Sequence, residues 1–163
     1  MTDKTYYILR HGETFATKTR SSYGDQIESS PILEEGIKVI ERIADYLKDI
    51  PTDFNVSSPY IRCKQTVLII ESRTDKIFNY DDRLGEFYNK TFDQFKVIVL
   101  NLIKELEGSK YETILICTHG SVISAFLNYL LYHHINAEDL PNYPSPGELL
   151  IIKNNKSSLL DFN

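Results

Sequence analysis

The sequence predicts an α/β fold of three layers, α/β/α, around a mostly parallel central sheet. Short apolar runs alternate along the chain with longer segments whose apolar residues recur at helical spacing, the pattern of βα units. The run Thr113-Ile114-Leu115-Ile116-Cys117 is continuously apolar, as a strand covered on both faces would be. No linker, repeat or low-complexity tract divides the chain, so residues 1–163 are expected to form one domain.

Taken in order, Tyr6-Tyr7-Ile8-Leu9 reads as a buried strand that ends at Arg10-His11-Gly12. Glu13 to Ser30 is polar and reads as a long loop, of the length that usually serves function. Ile37, Ile40, Ile43, Ala44 and Leu47 mark a helix stopped before Pro51. Phe54 to Ser57 is a second strand, followed from about Tyr60 to Glu71 by a helix. Lys76 to Tyr80 is a third strand, and Asp81 to Glu86 a loop. Phe92, Phe95, Val99, Leu102, Ile103 and Leu106 predict a helix that Gly108 closes. After the fourth strand at Thr113–Cys117, Thr118-His119-Gly120 leads into an apolar helix over Ser121 to Tyr132. Pro141, Pro144, Pro146 and Gly147 make an irregular connection. Leu149 to Lys153 and Ser158 to Phe162 suit a hairpin across Asn154-Asn155.

Composition narrows the function. The chain is 42% hydrophobic and 25% charged, with a net charge of −5 and no run of Lys and Arg. A nucleic acid or an anionic membrane is therefore an unfavourable partner, whereas a small phosphorylated molecule needs only a few converging cations. The two cysteines, Cys63 and Cys117, are far apart and outside any Cys-x-x-Cys pattern, so neither a disulfide scaffold nor a zinc site is expected. The N-terminus lacks a signal-peptide pattern and the apolar stretches are too short to span a bilayer, which predicts a cytoplasmic protein.

In a parallel sheet the carboxyl ends of the strands carry the ligand. Here those ends hold Arg10-His11-Gly12, Ser58-Pro59-Tyr60-Ile61-Arg62 and Thr118-His119-Gly120, with Glu86 after the third strand. Two arginines, two histidines and a carboxylate at one rim suit phosphoryl transfer. Guanidinium groups bind phosphate oxygens bidentately. A neutral imidazole can attack phosphorus and form a phosphohistidine, and the arginines favour that neutral form. Glu86 suits a proton donor to the leaving alkoxide, with Glu13 as its rival. Cysteine-based phosphatase chemistry needs an Arg closing the loop after the Cys, but Ile69 and Ile123 stand there. No P-loop and no Gly-x-Gly-x-x-Gly motif is present, and no carboxylates stand at metal-ligand spacing around the histidines.

Five segments resemble the histidine phosphatase superfamily, the phosphoglycerate mutase-like family. They are Leu9-Arg10-His11-Gly12-Glu13-Thr14, Pro31-Ile32-Leu33-Glu34-Glu35-Gly36, Ser57-Ser58-Pro59-Tyr60-Ile61-Arg62-Cys63-Lys64-Gln65-Thr66, Leu84-Gly85-Glu86 and Thr118-His119-Gly120. The resemblance covers about Tyr6 to Phe126 and implies a phosphoglycerate mutase-like fold. It implies His11 as the phosphorylated nucleophile, Arg10, Arg62 and His119 as the phosphate pocket, Glu86 as proton donor, and Thr17 and Gly120 as further substrate contacts. It implies neither metal nor cofactor. Thr17 stands where many relatives have Asn, Gly85 where a polar residue is commoner, and Leu33 where a capping Thr is common.

The expected activity is hydrolysis of phosphate monoesters through a phosphohistidine on His11. The alternatives are a phosphoglycerate mutase, a protein-phosphohistidine phosphatase and a non-catalytic phospho-ligand binding module. Relatives that are mutases carry a covering insertion after the acid, but here Glu86 runs into the next helix within a few residues. Lys18, Arg20, Lys64 and Lys90 are candidates for a second anionic group, and Tyr23, Tyr88 and Tyr143 for pocket walls. His133 and His134 read as structural or exposed, and Cys63 as an inert thiol. The oligomeric state and the physiological substrate are left open.

Overall fold

The computed structural model describes residues 3–163. Strand β1 (Thr5–Arg10) alternates strictly: Tyr6 and Ile8 face one side of the sheet and Leu9 the other. Strand β4 (Thr113–Thr118) repeats this, with Ile114 and Ile116 on the first side and Leu115 and Cys117 on the second. Because both faces are apolar, both must be covered. Helices α4 (Phe92–Gly108) and α5 (Gly120–Tyr132) cover the first, through Phe95, Val99, Leu102, Ile123 and Phe126. Helices α2 (Glu34–Leu47) and α3 (Ile61–Arg73) cover the second, through Ile40, Ile43, Leu47, Val67 and Ile70. Each fully buried Leu, Ile or Phe contributes about 1.5–3 kcal/mol. The three layers are those the sequence predicts.

Six strands form the sheet in the order β3-β2-β4-β1-β5-β6. Strand β2 (Phe54–Ser57) and β1 run parallel to β4, with Arg10 beside Thr118 and Ser57 beside Cys117. That register places three strand ends, and the loops after them, at one rim. Strand β5 (Glu148–Lys153) lies antiparallel to β1 and turns through Asn154 and Asn155, both at positive φ, into β6 (Lys156–Asp161). Among the described residues no helix is long and apolar enough to cross a membrane.

Two elements differ from expectation. The third strand shrinks to β3, Asn79–Tyr80, because its approach is tied down by side chains. Lys76 Nζ bonds the Ile50 carbonyl and the Thr52 hydroxyl, Asn55 holds the Ile77 carbonyl, and the Ile77 side chain is 79% exposed. The segment Glu13–Ser30 is also more than a loop. It contains helix α1 (Phe15–Thr19) and a 3-10 turn at Gly24–Gln26. Thr14 and Thr17 cap α1 reciprocally, and five residues are too few to show a hydrophobic period. Helix α2 lacks a side-chain cap at Leu33, but Glu34 and Glu35 place negative charge in its first turn.

Candidate active site

The rim begins with the β1 loop. His11 is fully buried, and its Nδ1 lies 2.8 Å from the Gly12 carbonyl oxygen. A carbonyl only accepts, so Nδ1 carries the proton and Nε2 holds the lone pair. That Nε2 is buried and has no protein partner. Burial drives the His11 pKa well below its usual value, and the charges of His119, Arg10 and Arg62 push it further the same way. The imidazole is neutral at neutral pH. A buried imidazole nitrogen that keeps its lone pair has the chemistry a nucleophile needs.

The loop is held by residues of the third motif. The Gly12 N–H donates to the Thr66 hydroxyl, and Gln65 Oε1 accepts from the Ile32 N–H. Leu33 N–H in turn donates to the Glu13 carbonyl, and a Cβ on Gly36 would stand 3.0 Å from the Glu13 nitrogen. Gln65 and Thr66 therefore clamp the loop around His11 to α3.

Arg62, in the first turn of α3, is fully buried. It donates to the Ile27 carbonyl and, at 2.7 Å, to Glu86 Oε2. Its guanidinium lies 4.1 Å from the centre of the Tyr23 ring, and the Tyr23 hydroxyl bonds Thr14. His119 follows β4 as His11 follows β1, and the two rings lie 5.4 Å apart. His119 Nε2 is 2.8 Å from the Ser58 hydroxyl and 3.7 Å from Cys63 Sγ, while Nδ1 is 3.3 Å from Glu86 Oε2. That last pair is an ion-pair approach without hydrogen-bond alignment, since Nδ1 has no hydrogen-bond partner. Burial alone would lower the His119 pKa, but Cys63 and Glu86 outweigh it and raise it.

Glu86 follows the 3-10 turn at Asp82–Leu84, which the Thr118 hydroxyl anchors by donating to the Leu84 carbonyl at 2.7 Å. Burial pushes its carboxyl up, but His119 and Arg62 override this and hold it at about 2. Gly85 fits because Tyr60 crowds it: a Cβ there would lie 3.2 Å from the Tyr60 hydroxyl and the Asp82 carbonyl oxygen.

Arg10, His11, Arg62, Glu86 and His119 thus converge at one end of the sheet. Arg10 and Glu86 line a polar cavity of about 830 Å³ whose wall also includes Glu13, Thr17, Arg20, Tyr23 and Tyr143, while His11, Arg62 and His119 are fully buried and do not line it. Thr17 reaches this wall, with its hydroxyl engaged in the α1 cap, accepting from Thr14 N–H and donating to the Thr14 carbonyl. Lys18 also lines the cavity but pairs with Glu35. Lys64 lies over Tyr80, and Lys90 borders a separate surface hollow beside α4. Tyr88 is 45% exposed outside the cavity wall, and His133 ends α5 in a left-handed conformation. Among the described residues no group of three or more His, Cys, Asp or Glu is arranged to hold a metal ion.

Sequence reasoning missed Ser58 and Thr66 as ligands of the loops. Their place inside the Ser-Ser-Pro-x-x-Arg-x-x-Gln-Thr segment was the available signal. It also gave Cys63 no place at the site, whereas the structure sets that thiol against His119. Burial pushes the Cys63 thiol up, but its contact with Cys117 and then His119 and Arg62 outweigh this and lower its pKa.

Residues 6–96, more than half of the chain, match the histidine phosphatase superfamily (branch 1). No curated protein matches the chain by sequence. Among solved structures, the alpha-ribazole phosphatase from Shigella flexneri superposes with a TM-score of 0.78 at 19% identity, over 96% of this chain and 95% of that one. A mycobacterial glucosyl-3-phosphoglycerate phosphatase gives 0.75 at 18% identity, over 97% and 98%. The protein histidine phosphatase SixA, complexed with tungstate, gives 0.66 at 14% identity, over 96% and 94%. At these identities the likeness is one of fold, a phosphoglycerate mutase-like α/β/α arrangement. The motif residues, the sheet that gathers them and the family match lead to one conclusion: the chain belongs to the histidine phosphatase superfamily, branch 1.

Proposed function

We propose that this protein is a metal-independent phosphatase that hydrolyses small phosphate monoesters through a phosphohistidine on His11. The observation that carries the proposal is the His11 imidazole, whose Nδ1–H is taken by the Gly12 carbonyl and whose buried Nε2 has no partner.

The phosphate of the substrate binds between Arg10, Arg62 and His119, whose positive charge offsets that of the dianion. Nε2 of His11 attacks phosphorus as the bond to the ester oxygen breaks. Glu86 gives its proton to that oxygen, so the leaving group departs as an alcohol. A water molecule then attacks the phosphohistidine while Glu86 takes its proton. The phosphorus–nitrogen bond breaks, the electron pair returns to Nε2, and inorganic phosphate leaves.

Free Glu86 is ionised, so it must gain a proton to act as the acid. Bound phosphate supplies the reason. It competes for Arg62 and His119, the two groups that hold the carboxyl near 2, and adds negative charge beside it. Both effects raise the Glu86 pKa in the complex.

Five residues, Phe87 to Thr91, separate Glu86 from α4, too few to form a cover over the cavity. That supports hydrolysis over a mutase reaction, which must shield its phosphohistidine from water. The solved relatives are named as phosphatases, which supports the same choice.

The experiment is hydrolysis of p-nitrophenyl phosphate by wild type and His11→Ala, each with and without EDTA. Activity that survives EDTA and disappears in His11→Ala is the expected result. Substantial turnover by a clean His11→Ala preparation overturns the nucleophile, and loss of wild-type activity in EDTA overturns metal independence.

A further inference from the structure

The two arginines of the phosphate cradle are held in different ways. Arg62 is fixed by a carbonyl, a carboxylate and a tyrosine face. Arg10 makes no hydrogen bond and no ion pair through its guanidinium among the described residues, and its Nε is buried without a partner. Its one directed contact is aromatic: Cζ lies 4.8 Å from the centre of the Tyr143 ring.

Tyr143 belongs to the proline-rich connection before β5. The backbone on either side of it is anchored. Asn142 N–H donates to the Asp139 carbonyl, whose oxygen also accepts from Ser124, and Ser145 N–H donates to Glu148. Pro144 restricts Tyr143 to extended backbone and is itself buried. The ring rests against the first residue of α5. A Cβ on Gly120 would stand 2.6–2.7 Å from the ring carbons, closer than any real contact. Gly120 has no positive φ, so the reason for a glycine here is space and not torsion.

We propose that Tyr143 is the positioning residue for Arg10, and that Gly120 is a glycine because the Tyr143 ring occupies the space of its side chain. This rests on the reading of Arg10 as a phosphate ligand. The physical case concerns what each kind of partner consumes. A carboxylate would orient the guanidinium but would take two of its five donors and neutralise its charge. An aromatic face orients it through the flat side and leaves every N–H, all of which lie in the guanidinium plane, free for phosphate oxygens. Gly120 therefore contributes to the phosphate site indirectly, by admitting the ring that holds Arg10.

The test measures inorganic phosphate binding by calorimetry, together with kcat and KM for p-nitrophenyl phosphate. Wild type is compared with Tyr143→Phe, Tyr143→Ala, Gly120→Ala and the Gly120→Ala/Tyr143→Ala double variant. Tyr143→Ala is expected to weaken phosphate binding and raise KM roughly tenfold, with a smaller change in kcat. Tyr143→Phe, which keeps the ring, recovers the affinity. Gly120→Ala displaces the ring and weakens binding, and the double variant is no worse than Tyr143→Ala alone. Wild-type affinity in Tyr143→Ala overturns the proposal, and independent losses that add in the double variant overturn the role given to Gly120. A wild-type protein that binds no phosphate and turns over no ester overturns the underlying reading of the site, a distinguishable failure.

Discussion

The Thr66 hydroxyl accepts a hydrogen bond from the Gly12 N–H at 2.8 Å and donates one to the Arg62 carbonyl at 2.7 Å. One buried hydroxyl thus joins the loop that orients His11 to the helix turn that carries Arg62. The Gly12 carbonyl sets the His11 tautomer, so in the proposed mechanism the orientation of this peptide bears on catalysis.

Thr66→Val keeps the shape of the side chain and removes both bonds, leaving the Gly12 N–H buried and unsatisfied. Urea denaturation is expected to show a loss of about 1–3 kcal/mol. The fall in kcat is expected to exceed the change in KM, since the ring of His11, the proposed nucleophile, is released while the arginines remain. Thr66→Ser, which keeps the hydroxyl, should recover most of both. A valine variant with wild-type stability and kcat contradicts the clamp.

Glu86→Gln removes the proposed proton donor while retaining the shape. Alkyl phosphates, whose alkoxide leaves poorly, are expected to lose on the order of 10²–10⁴ in kcat. p-Nitrophenyl phosphate, whose phenolate leaves without help, is expected to lose far less. Equal losses across a series of leaving groups rule out the acid role and point to Glu13, the other carboxylate on the cavity wall.

The pH dependence follows from His11. Protonation would remove its lone pair, so activity must fall as pH drops through the His11 pKa. Burial and the charges of His119, Arg10 and Arg62 place that pKa well below the ordinary value. The profile of kcat/KM is therefore expected to lack an acid limb with its midpoint near pH ~6.5, where an unperturbed histidine titrates. A limb at that position which belongs to the enzyme and not to the ester would contradict a neutral, buried nucleophile.

Gly85→Ala probes the loop of the acid. The added methyl meets the Asp82 carbonyl and the Tyr60 hydroxyl at 3.2 Å, so the loop or the ring must move. A stability loss of about 1 kcal/mol or more is expected from the overpacking. Because Tyr60 lies beside His119 and Glu86 follows Gly85 directly, kcat for alkyl phosphates should fall as well. Thermal melts and alkyl phosphate turnover measure the two effects separately.

Much of the fold was legible in the chain. The alternation at Tyr6–Leu9 and Thr113–Cys117 predicts a sheet covered on both faces, because residues one apart on a strand point to opposite sides. Helices α2 and α4 announce themselves through regular apolar spacing. The failures are short elements. Helix α1 has five residues and β3 has two, and what makes them is capping by Thr14 and Thr17 and tethering by Lys76 and Asn55. Such contacts leave no periodic trace.

By itself the sequence determined which chemistry is present: His11, His119, Arg10, Arg62 and Glu86 are residue types suited to phosphate, and their place after apolar runs put them at strand ends. Tertiary structure decided what each is free to do. The Gly12 carbonyl takes one nitrogen of His11 and leaves the other. Arg62 and His119 hold Glu86 ionised, and Tyr143 fills the space over Gly120 beneath Arg10. A side chain's identity limits its possible bonds, but only its packed neighbours determine which of those bonds are already made.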